Sequence, residues 1–153
     1  NHIFEEHKNI TWLKINNKTA FEKTGSYDKE AAKIISEETL SNVIVTKGES
    51  GFVAYIKDLN QTICYTKGDN KKFVDSIGAG DTYLAGFISS LLLNMGDLPS
   101  MIYADMVAHI SATKLGTLKE ISKEEADKEY LRAETSLTDM EDALYVHCSF
   151  NDD

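Results

Sequence analysis

The chain has 153 residues, a length that suits one domain with one hydrophobic core. Hydrophobic residues make up 42% of the chain and charged residues 27%, as in an ordinary globular protein, and the formal net charge is -9. Proteins that bind nucleic acids carry a basic face for the phosphates, so this charge argues against nucleic-acid partners and against binding to anionic membranes.

Cysteine content and the chain start bear on the cellular compartment. The two cysteines, Cys64 and Cys148, stand far apart and form no disulfide framework, which predicts a reducing compartment, the cytoplasm. No stretch is long and apolar enough to span a membrane, and no signal peptide is recognised. The first residue is Asn1 rather than methionine, so we expect either processing or a start inside a longer protein.

The first half of the chain predicts a small sheet and one helix. A helix is predicted over residues 27–38, because Ala31, Ile34 and Ile35 form one apolar stripe among charged residues. Apolar and β-branched runs predict strands at residues 10–15, 43–45, 52–56 and 62–65. The last two strands predict an antiparallel hairpin, and turns are predicted before it at residues 48–51 and after it at residues 68–70.

The second half of the chain predicts helices. The run Gly78-Ala79-Gly80-Asp81 precedes a long helix that ends before Gly96 and Pro99. Its apolar residues recur at spacings of three and four: Leu84, Phe87, Ile88, Leu91 and Leu92. A second helix is predicted over residues 101–115, with Gly116 as its C-cap. Residues 123–132 are compatible with a further, exposed helix.

Strands mixed with helices of these lengths indicate an α/β sheet protein. From residue 119 onward the chain turns acidic and has few core-like signals. We therefore expect residues 1–120 to form the main part of the fold. Residues 121–153 are expected to form an acidic C-terminal extension that is partly helical or mobile.

The loop ahead of the long helix carries the strongest functional signal. Gly78, Ala79 and Gly80 leave the backbone bare, so that N–H groups can approach a ligand closely. The positive end of the helix dipole points to the same place, which favours a phosphoryl group that gathers charge in its transition state. The Asp81 carboxylate at the mouth of this site can accept the proton of an attacking hydroxyl. A purely structural loop with Asp81 as the helix N-cap is the alternative.

The thirteen-residue string that begins at Asp75 and ends at Phe87, DSIGAGDTYLAGF, resembles position for position the C-terminal signature of the ribokinase-like (PfkB-type) sugar kinases. The resemblance covers roughly residues 10–120 and implies the C-terminal half of a three-layer α/β/α sandwich with a β-hairpin. It implies ATP-dependent phosphoryl transfer to a hydroxyl of a small sugar or nucleoside. It also implies that Asp81 is the catalytic base and that the backbone of residues 78–80 is the anion hole.

Two segments of the first half resemble the same family. Residues 43–51 match a strand-Thr-x-Gly-x-x-Gly segment that contacts the ATP phosphates, which implies that Thr46 and Gly48 bind ATP. Asn16 matches the Asn of an Asn-x-x-Glu segment that tunes magnesium and phosphate. Thr19 stands where the Glu is expected, and threonine supplies no charged acceptor, so Asn16 can equally be a residue that only terminates a strand.

The second predicted helix of the C-terminal half resembles the helix against which the family packs the nucleotide base. The resemblance implies that Asp105 and Ala108 lie there, although many members carry Asn in place of Asp105 and small residues also suit close helix packing. In potassium-activated members, carbonyl groups near the positions of Asp75, Ile77 and Gly116 bind a monovalent cation. The Thr-Lys-Leu-Gly ending adds a slight resemblance to ketohexokinase- and fructokinase-like members.

Members of this family are about twice as long as this chain. Their N-terminal half supplies the rest of the sheet, the sugar-binding carboxylate and a lid, so this chain alone is expected to bind no sugar tightly and to turn over poorly. Either that half or a partner chain, for example in a homo-oligomer, is expected to cover the exposed sheet edge and apolar faces. Two alternatives stay open: a non-catalytic nucleotide-binding or interaction module, and an α/β domain whose glycine loop is only structural.

Overall fold

The computed structural model describes residues 10–66, 73–116 and 120–138, with side chains described as far as residue 132. The described residues divide into two compact units, residues 10–66 and residues 73–116 with 120–138. The described parts of these units are called the sheet unit and the helix unit below. The turn predicted at residues 68–70 lies outside the described residues.

The sheet unit holds four strands and two helices. Its elements are β1 (Trp12–Asn16), α1 (Asn17–Thr24), α2 (Asp28–Thr39), β2 (Asn42–Thr46), β3 (Phe52–Ile56) and β4 (Gln61–Tyr65). The strand order is β1-β2-β3-β4, in which β1 and β2 run parallel and the other neighbours run antiparallel. The four predicted strands, the hairpin and the helix at α2 are confirmed.

Helix α1 is absent from the sequence prediction, because the polar run at residues 16–19 indicates only the end of a strand. Asn16 does end β1, and its side-chain oxygen also accepts a hydrogen bond of 2.8 Å from the backbone N–H of Thr19. This N-cap satisfies one of the donors that a helix start leaves without an intrahelical partner. Ala20 in the first turn is fully buried and attaches the helix to the core. A cap and one buried methyl group thus support a helix that lacks an apolar stripe.

The core of the sheet unit is formed by the sheet together with α1 and α2. Its buried side chains are Ala20, Ala31, Ala32, Ile35, Val43, Val45, Val53 and Tyr55. Ile44 is also fully buried, so β2 is buried on both faces, as its continuous apolar run predicts. Each large side chain buried in this way stabilises the fold by about 1.5–3 kcal/mol. The core thereby fixes the carboxyl ends of the parallel strands β1 and β2 side by side.

Cys64 of β4 packs against the same core and is disulfide-bonded. The spacing of the two cysteines predicted no disulfide framework, and in this respect the structure differs from the prediction. Separation along the sequence says little about which residues a fold brings together, so the spacing alone was a weak guide. Cys148 lies outside the described residues.

The helix unit consists of α3 (Ala79–Leu92), α4 (Asp97–Ala112) and α5 (Lys123–Thr138). The two helices predicted after Asp81 are confirmed, but the second begins earlier than predicted, at Asp97. It also ends earlier, at Ala112, so the predicted C-cap at Gly116 is wrong and the C-cap is Thr113. Pro99 therefore lies in the first turn of α4, where a missing backbone N–H costs no helical hydrogen bond. Helices α3 and α4 approach closely at Gly86, where a Cβ atom would lie 3.2 Å from the Cα of Ala104.

The buried face of α3 differs from the apolar stripe in its sequence. The buried residues of α3 are Tyr83, Gly86, Phe87 and Ser90. By contrast, Leu84, Ile88 and Leu92 are 43%, 49% and 78% exposed. The small residues Gly86 and Ser90 allow α4 to approach, and close backbone packing selects this face over the aliphatic one.

Helix α5 occupies the start of the segment predicted to be an acidic extension. Ala126 is buried, and the rings of Tyr103 on α4 and Tyr130 on α5 lie 5.6 Å apart, so α5 packs against α4. The extension beyond residue 138 lies outside the described residues. Within the described ranges, no helix has the length and apolar character needed to cross a membrane.

Candidate functional site

The loop ahead of α3 places Asp81 on an exposed first turn. The N-cap of α3 is Gly78, and no side chain caps the helix. Asp81 is thus the third helical residue, and the alternative in which Asp81 itself is the N-cap is wrong. Among the described residues, the backbone N–H groups of Gly80 and Asp81 have no hydrogen-bond acceptor. The helix start therefore offers free donors beside an exposed carboxylate.

Gly78 is required at the N-cap for a steric reason. Its φ is 79°, in the left-handed region that side chains with a Cβ rarely adopt. This conformation lets the Gly78 carbonyl accept hydrogen bonds from the backbone N–H of Thr82, at 2.9 Å, and from the Thr82 hydroxyl, also at 2.9 Å. The N–H of Ala79 donates to the Ser76 carbonyl at 3.1 Å, so within the predicted anion hole this donor is engaged by the loop itself.

One side chain anchors the loop. The two carboxylate oxygens of Asp75 accept hydrogen bonds from the N–H of Ile77, at 3.0 Å, and from the N–H of Gly116, at 3.2 Å. The backbone N–H of Asp75 donates to the carbonyl of Ala112 at the end of α4, at 3.0 Å. The structure thus brings together Asp75, Ile77 and Gly116, the three residues that the resemblance associates with a monovalent cation. The anchoring role of the Asp75 side chain was not predicted from the sequence.

Asp105 and Ala108, which the resemblance implies at the nucleotide base, are both buried on α4. Asp105 is 3% exposed and lies close to Tyr83 of α3. Burial raises the pKa of Tyr83 well above its ordinary value, and the negative charge of Asp105 adds to this effect. Asp105 therefore contributes an electrostatic interaction between α4 and α3.

The sheet unit carries the other predicted nucleotide residues at the carboxyl ends of β1 and β2. Asn16 and Thr46 are direct partners in the parallel register. The Thr46 hydroxyl donates to the Ile15 carbonyl at 3.5 Å, a weak hydrogen bond that leaves the hydroxyl available to a ligand. Gly48 is exposed with a φ of 57°, and a Cβ atom there would meet nothing within 4 Å. Its N–H has no acceptor among the described residues.

A charged pair at this edge was not predicted from the sequence. The ammonium nitrogen of Lys47 lies 3.6 Å from a carboxylate oxygen of Asp28, the first residue of α2. The signal that would have found Lys47 is its position between Thr46 and Gly48, inside a segment assigned to phosphate. Asp28 has no comparable signal, because its proximity to Lys47 follows from the packing of α2 on the sheet.

The donor set at this edge is too sparse to hold magnesium by the described protein ligands alone. The amide oxygen of Asn16 already accepts the N–H of Thr19, which leaves it one lone pair for a metal-bound water. Thr19 carries no charge, and within the described residues no group of three His, Cys, Asp or Glu side chains forms a metal site. Magnesium commonly binds with few protein ligands and several phosphate or water oxygens, which agrees with such a sparse donor set.

Comparison with known proteins places the chain in a family. The family model described as pfkB family carbohydrate kinase matches residues 8–124. The chain is 28% identical over 102 residues to the ribokinase of Haemophilus influenzae, an alignment that covers 67% of this chain and 32% of the relative. The chain thus spans about a third of that relative's length.

Solved structures show the same fold. Phosphofructokinase-2 from Escherichia coli, solved in complex with potassium, is 19% identical with a TM-score of 0.71, over 83% of this chain and 42% of that chain. The ribokinase of Arabidopsis thaliana, solved with ribose and ATP, is 18% identical with a TM-score of 0.68, over 80% and 41% of the two chains. The slight resemblance to ketohexokinase-like members stays a prediction. The extent of the family match shows that the protein belongs to the pfkB family of carbohydrate kinases and has its ribokinase-like α/β fold.

Proposed function

We propose that the protein takes part in ATP-dependent phosphoryl transfer to a hydroxyl group of a small sugar or nucleoside. Membership of a carbohydrate kinase family supports a kinase activity. The single observation that carries the proposal is the start of α3, where the exposed Asp81 carboxylate stands beside N–H groups without acceptors. A site of this kind provides both a proton acceptor and donors for a phosphoryl group.

The proposed reaction is an in-line displacement at phosphorus. Asp81 accepts the proton of the substrate hydroxyl, and the hydroxyl oxygen forms a bond to the γ-phosphorus of ATP. The bond between the γ-phosphorus and the bridging oxygen breaks, and ADP leaves with that electron pair. The backbone of residues 78–80 stabilises the charge on the phosphoryl group in flight. Our proposal gives most of this role to Gly78 and Gly80, because the Ala79 N–H is held by Ser76.

The other predicted residues bind and orient the nucleotide in this proposal. Thr46 and Gly48 hold the ATP phosphates, Asn16 would hold a magnesium ion through one of its waters, and Asp105 with Ala108 lies toward the base. A bound magnesium ion would supply positive charge that neutralises the phosphates. A monovalent cation at Asp75, Ile77 and Gly116 is supported by their proximity in this structure and by the potassium complex of the Escherichia coli phosphofructokinase-2.

Substitution of Asp81 tests the proposal. In the full-length protein, Asp81→Asn should lower the turnover number by about 100- to 10,000-fold, because the general base is lost while the side-chain shape is kept. Asp97→Asn is the matched control, since Asp97 is also an exposed acid in the first turn of a helix, α4. A coupled assay of sugar-dependent ADP release measures both variants. Near-normal turnover by Asp81→Asn would contradict the proposed role.

A non-catalytic nucleotide-binding relative is the second candidate. The uncharged Thr19 in the magnesium-tuning segment favours it, because no charged acceptor stands at that position. Calorimetry separates the two candidates: ATP binding by the full-length protein without ADP release in the presence of any sugar or nucleoside supports the second. The 153-residue chain alone is expected to turn over poorly under either candidate, since it spans only part of its relatives.

A further inference from the structure

Lys47 is a cation held in place at the end of β2. It follows the last residue of that strand and stands between Thr46 and Gly48, the two residues proposed to hold the ATP phosphates. Its side chain is only 22% exposed, whereas lysine side chains are usually well exposed. Most of the side chain is therefore packed against the protein, and its ammonium group lies at the surface beside Asp28.

The contact between Lys47 and Asp28 is loose. The ammonium nitrogen and the nearer carboxylate oxygen are 3.6 Å apart, longer than the 2.7–2.9 Å typical of a charge-assisted hydrogen bond. The two charges attract each other across this gap, but the contact does not use the three N–H donors of the ammonium group well. Lys47 thus has donor capacity for a better acceptor.

The backbone of Asp28 is held by a hydrogen bond to Asn17. Its N–H donates to the side-chain oxygen of Asn17 at 3.3 Å, and its φ of 51° lies in the left-handed region. One of its carboxylate oxygens is buried and has no hydrogen-bond partner among the described residues. The other oxygen faces Lys47. A carboxylate fixed in this way can keep an ammonium group near the edge of the sheet, but forms only a partial bond with it.

We propose that Lys47 binds the phosphate tail of a nucleoside triphosphate and that Asp28 is the weaker, competing partner of the Lys47 ammonium group when no nucleotide is bound. The proposal rests on the proposed function, because it deepens the account of the same nucleotide site. The chain carries a net charge of -9, so a local cation favours the approach of a polyanion. A phosphate oxygen is a strong acceptor for the donors that Asp28 leaves underused, so binding exchanges a loose partner for a close one.

Two substitutions of Lys47 test the contact. Lys47→Met keeps the aliphatic stem and removes the charge, and it should weaken ATP binding by about 10- to 100-fold, the effect of losing a charge-assisted hydrogen bond. Binding of adenosine, which has no phosphate, should change less than about twofold. Lys47→Arg should retain most of the ATP affinity. Calorimetry on the purified full-length protein measures the binding of ATP and adenosine to Lys47→Met and the binding of ATP to Lys47→Arg.

Lys57→Met is the matched control. Lys57 also follows a strand of the sheet unit and also lies 3.6 Å from an aspartate, Asp58, but no phosphate contact is proposed next to it. It should leave ATP affinity unchanged, and thermal melts of all variants show that they fold. If Lys47→Met binds ATP as tightly as Lys57→Met does, Lys47 does not contact the phosphates.

Substitution of Asp28 tests whether Asp28 and phosphate compete for Lys47. Asp28→Asn removes the charge that competes for Lys47, so ATP binding should tighten by about 2- to 10-fold, and this gain should disappear in the Lys47→Met background. Weaker ATP binding by a folded Asp28→Asn variant would overturn the competition between Asp28 and phosphate. If the unsubstituted protein binds no ATP, the proposed function itself fails; if it binds ATP and Lys47→Met binds equally well, only the present inference fails.

Discussion

The turn after β2 and the loop ahead of α3 both use glycines with positive φ, yet different forces hold them. The first, residues 47–51, is fixed by backbone packing: Lys47 and Gly51 are joined by a 2.8 Å hydrogen bond, and Gly51 lies directly against the backbone of Tyr65. The second, residues 74–78, is fixed largely by the Asp75 side chain and the end of α4. Glycines with positive φ in two loops therefore do not imply that the same forces fix the conformations of those loops.

The largest effect on stability is expected at Gly51. Its φ and ψ are 90° and -137°, a combination that is nearly restricted to glycine, and a Cβ atom would lie 2.0 Å from the Tyr65 carbonyl oxygen. Because backbone atoms of β4 cannot move aside without loss of sheet hydrogen bonds, Gly51→Ala should lower the free energy of unfolding by roughly 2–4 kcal/mol. Urea denaturation measures this, and a loss below about 0.5 kcal/mol would refute the packing argument.

A smaller effect on stability, with a clear effect on activity, is expected at Asp75. Asp75→Ala removes the acceptor for the N–H groups of Ile77 and Gly116, so the free energy of unfolding should fall by about 1–2 kcal/mol. The loop that leads to Asp81 then loses its anchor, and turnover in the full-length protein should fall by about tenfold or more. Asp75→Asn keeps one carbonyl acceptor, so its stability and turnover should lie between those of the unsubstituted protein and those of Asp75→Ala. Unchanged turnover in a folded Asp75→Ala variant would show that Asp75 does not position the site.

The sequence predicted most of the fold where local chemistry decides it. The β3–β4 hairpin and the helix after Asp81 follow from turn residues and apolar spacing. Helix α1 was missed because a cap and the burial of Ala20, rather than an apolar stripe, support it. The buried face of α3 was not predictable either, since the close approach at Gly86 depends on where α4 lies.

The residues of the candidate site also fall into those that the sequence predicted and those that it did not. Residues 78–81 were found from the sequence, because a run of small residues before a helix has a direct consequence for the backbone. The anchoring by Asp75 was not found, because Gly116 lies 41 residues further along the chain and only the fold brings its N–H to the carboxylate. The pair of Lys47 and Asp28 depends in the same way on the packing of α2 against the sheet.

The smallest effect on stability is expected at Gly48. A substitution there tests whether Gly51 is the more sensitive of the two glycines of the first turn because of its contact with Tyr65. Gly48 has a φ of 57°, but no atom lies within 4 Å of a Cβ placed there. Gly48→Ala should therefore cost only the strain of a left-handed alanine, about 1 kcal/mol in the free energy of unfolding, and Gly48→Asn should cost less. Because both substitutions keep the backbone N–H proposed to contact phosphate, ATP affinity should stay within about threefold. If Gly48→Ala proves as damaging in urea denaturation as Gly51→Ala, backbone conformation alone governs this turn, and contact with Tyr65 does not.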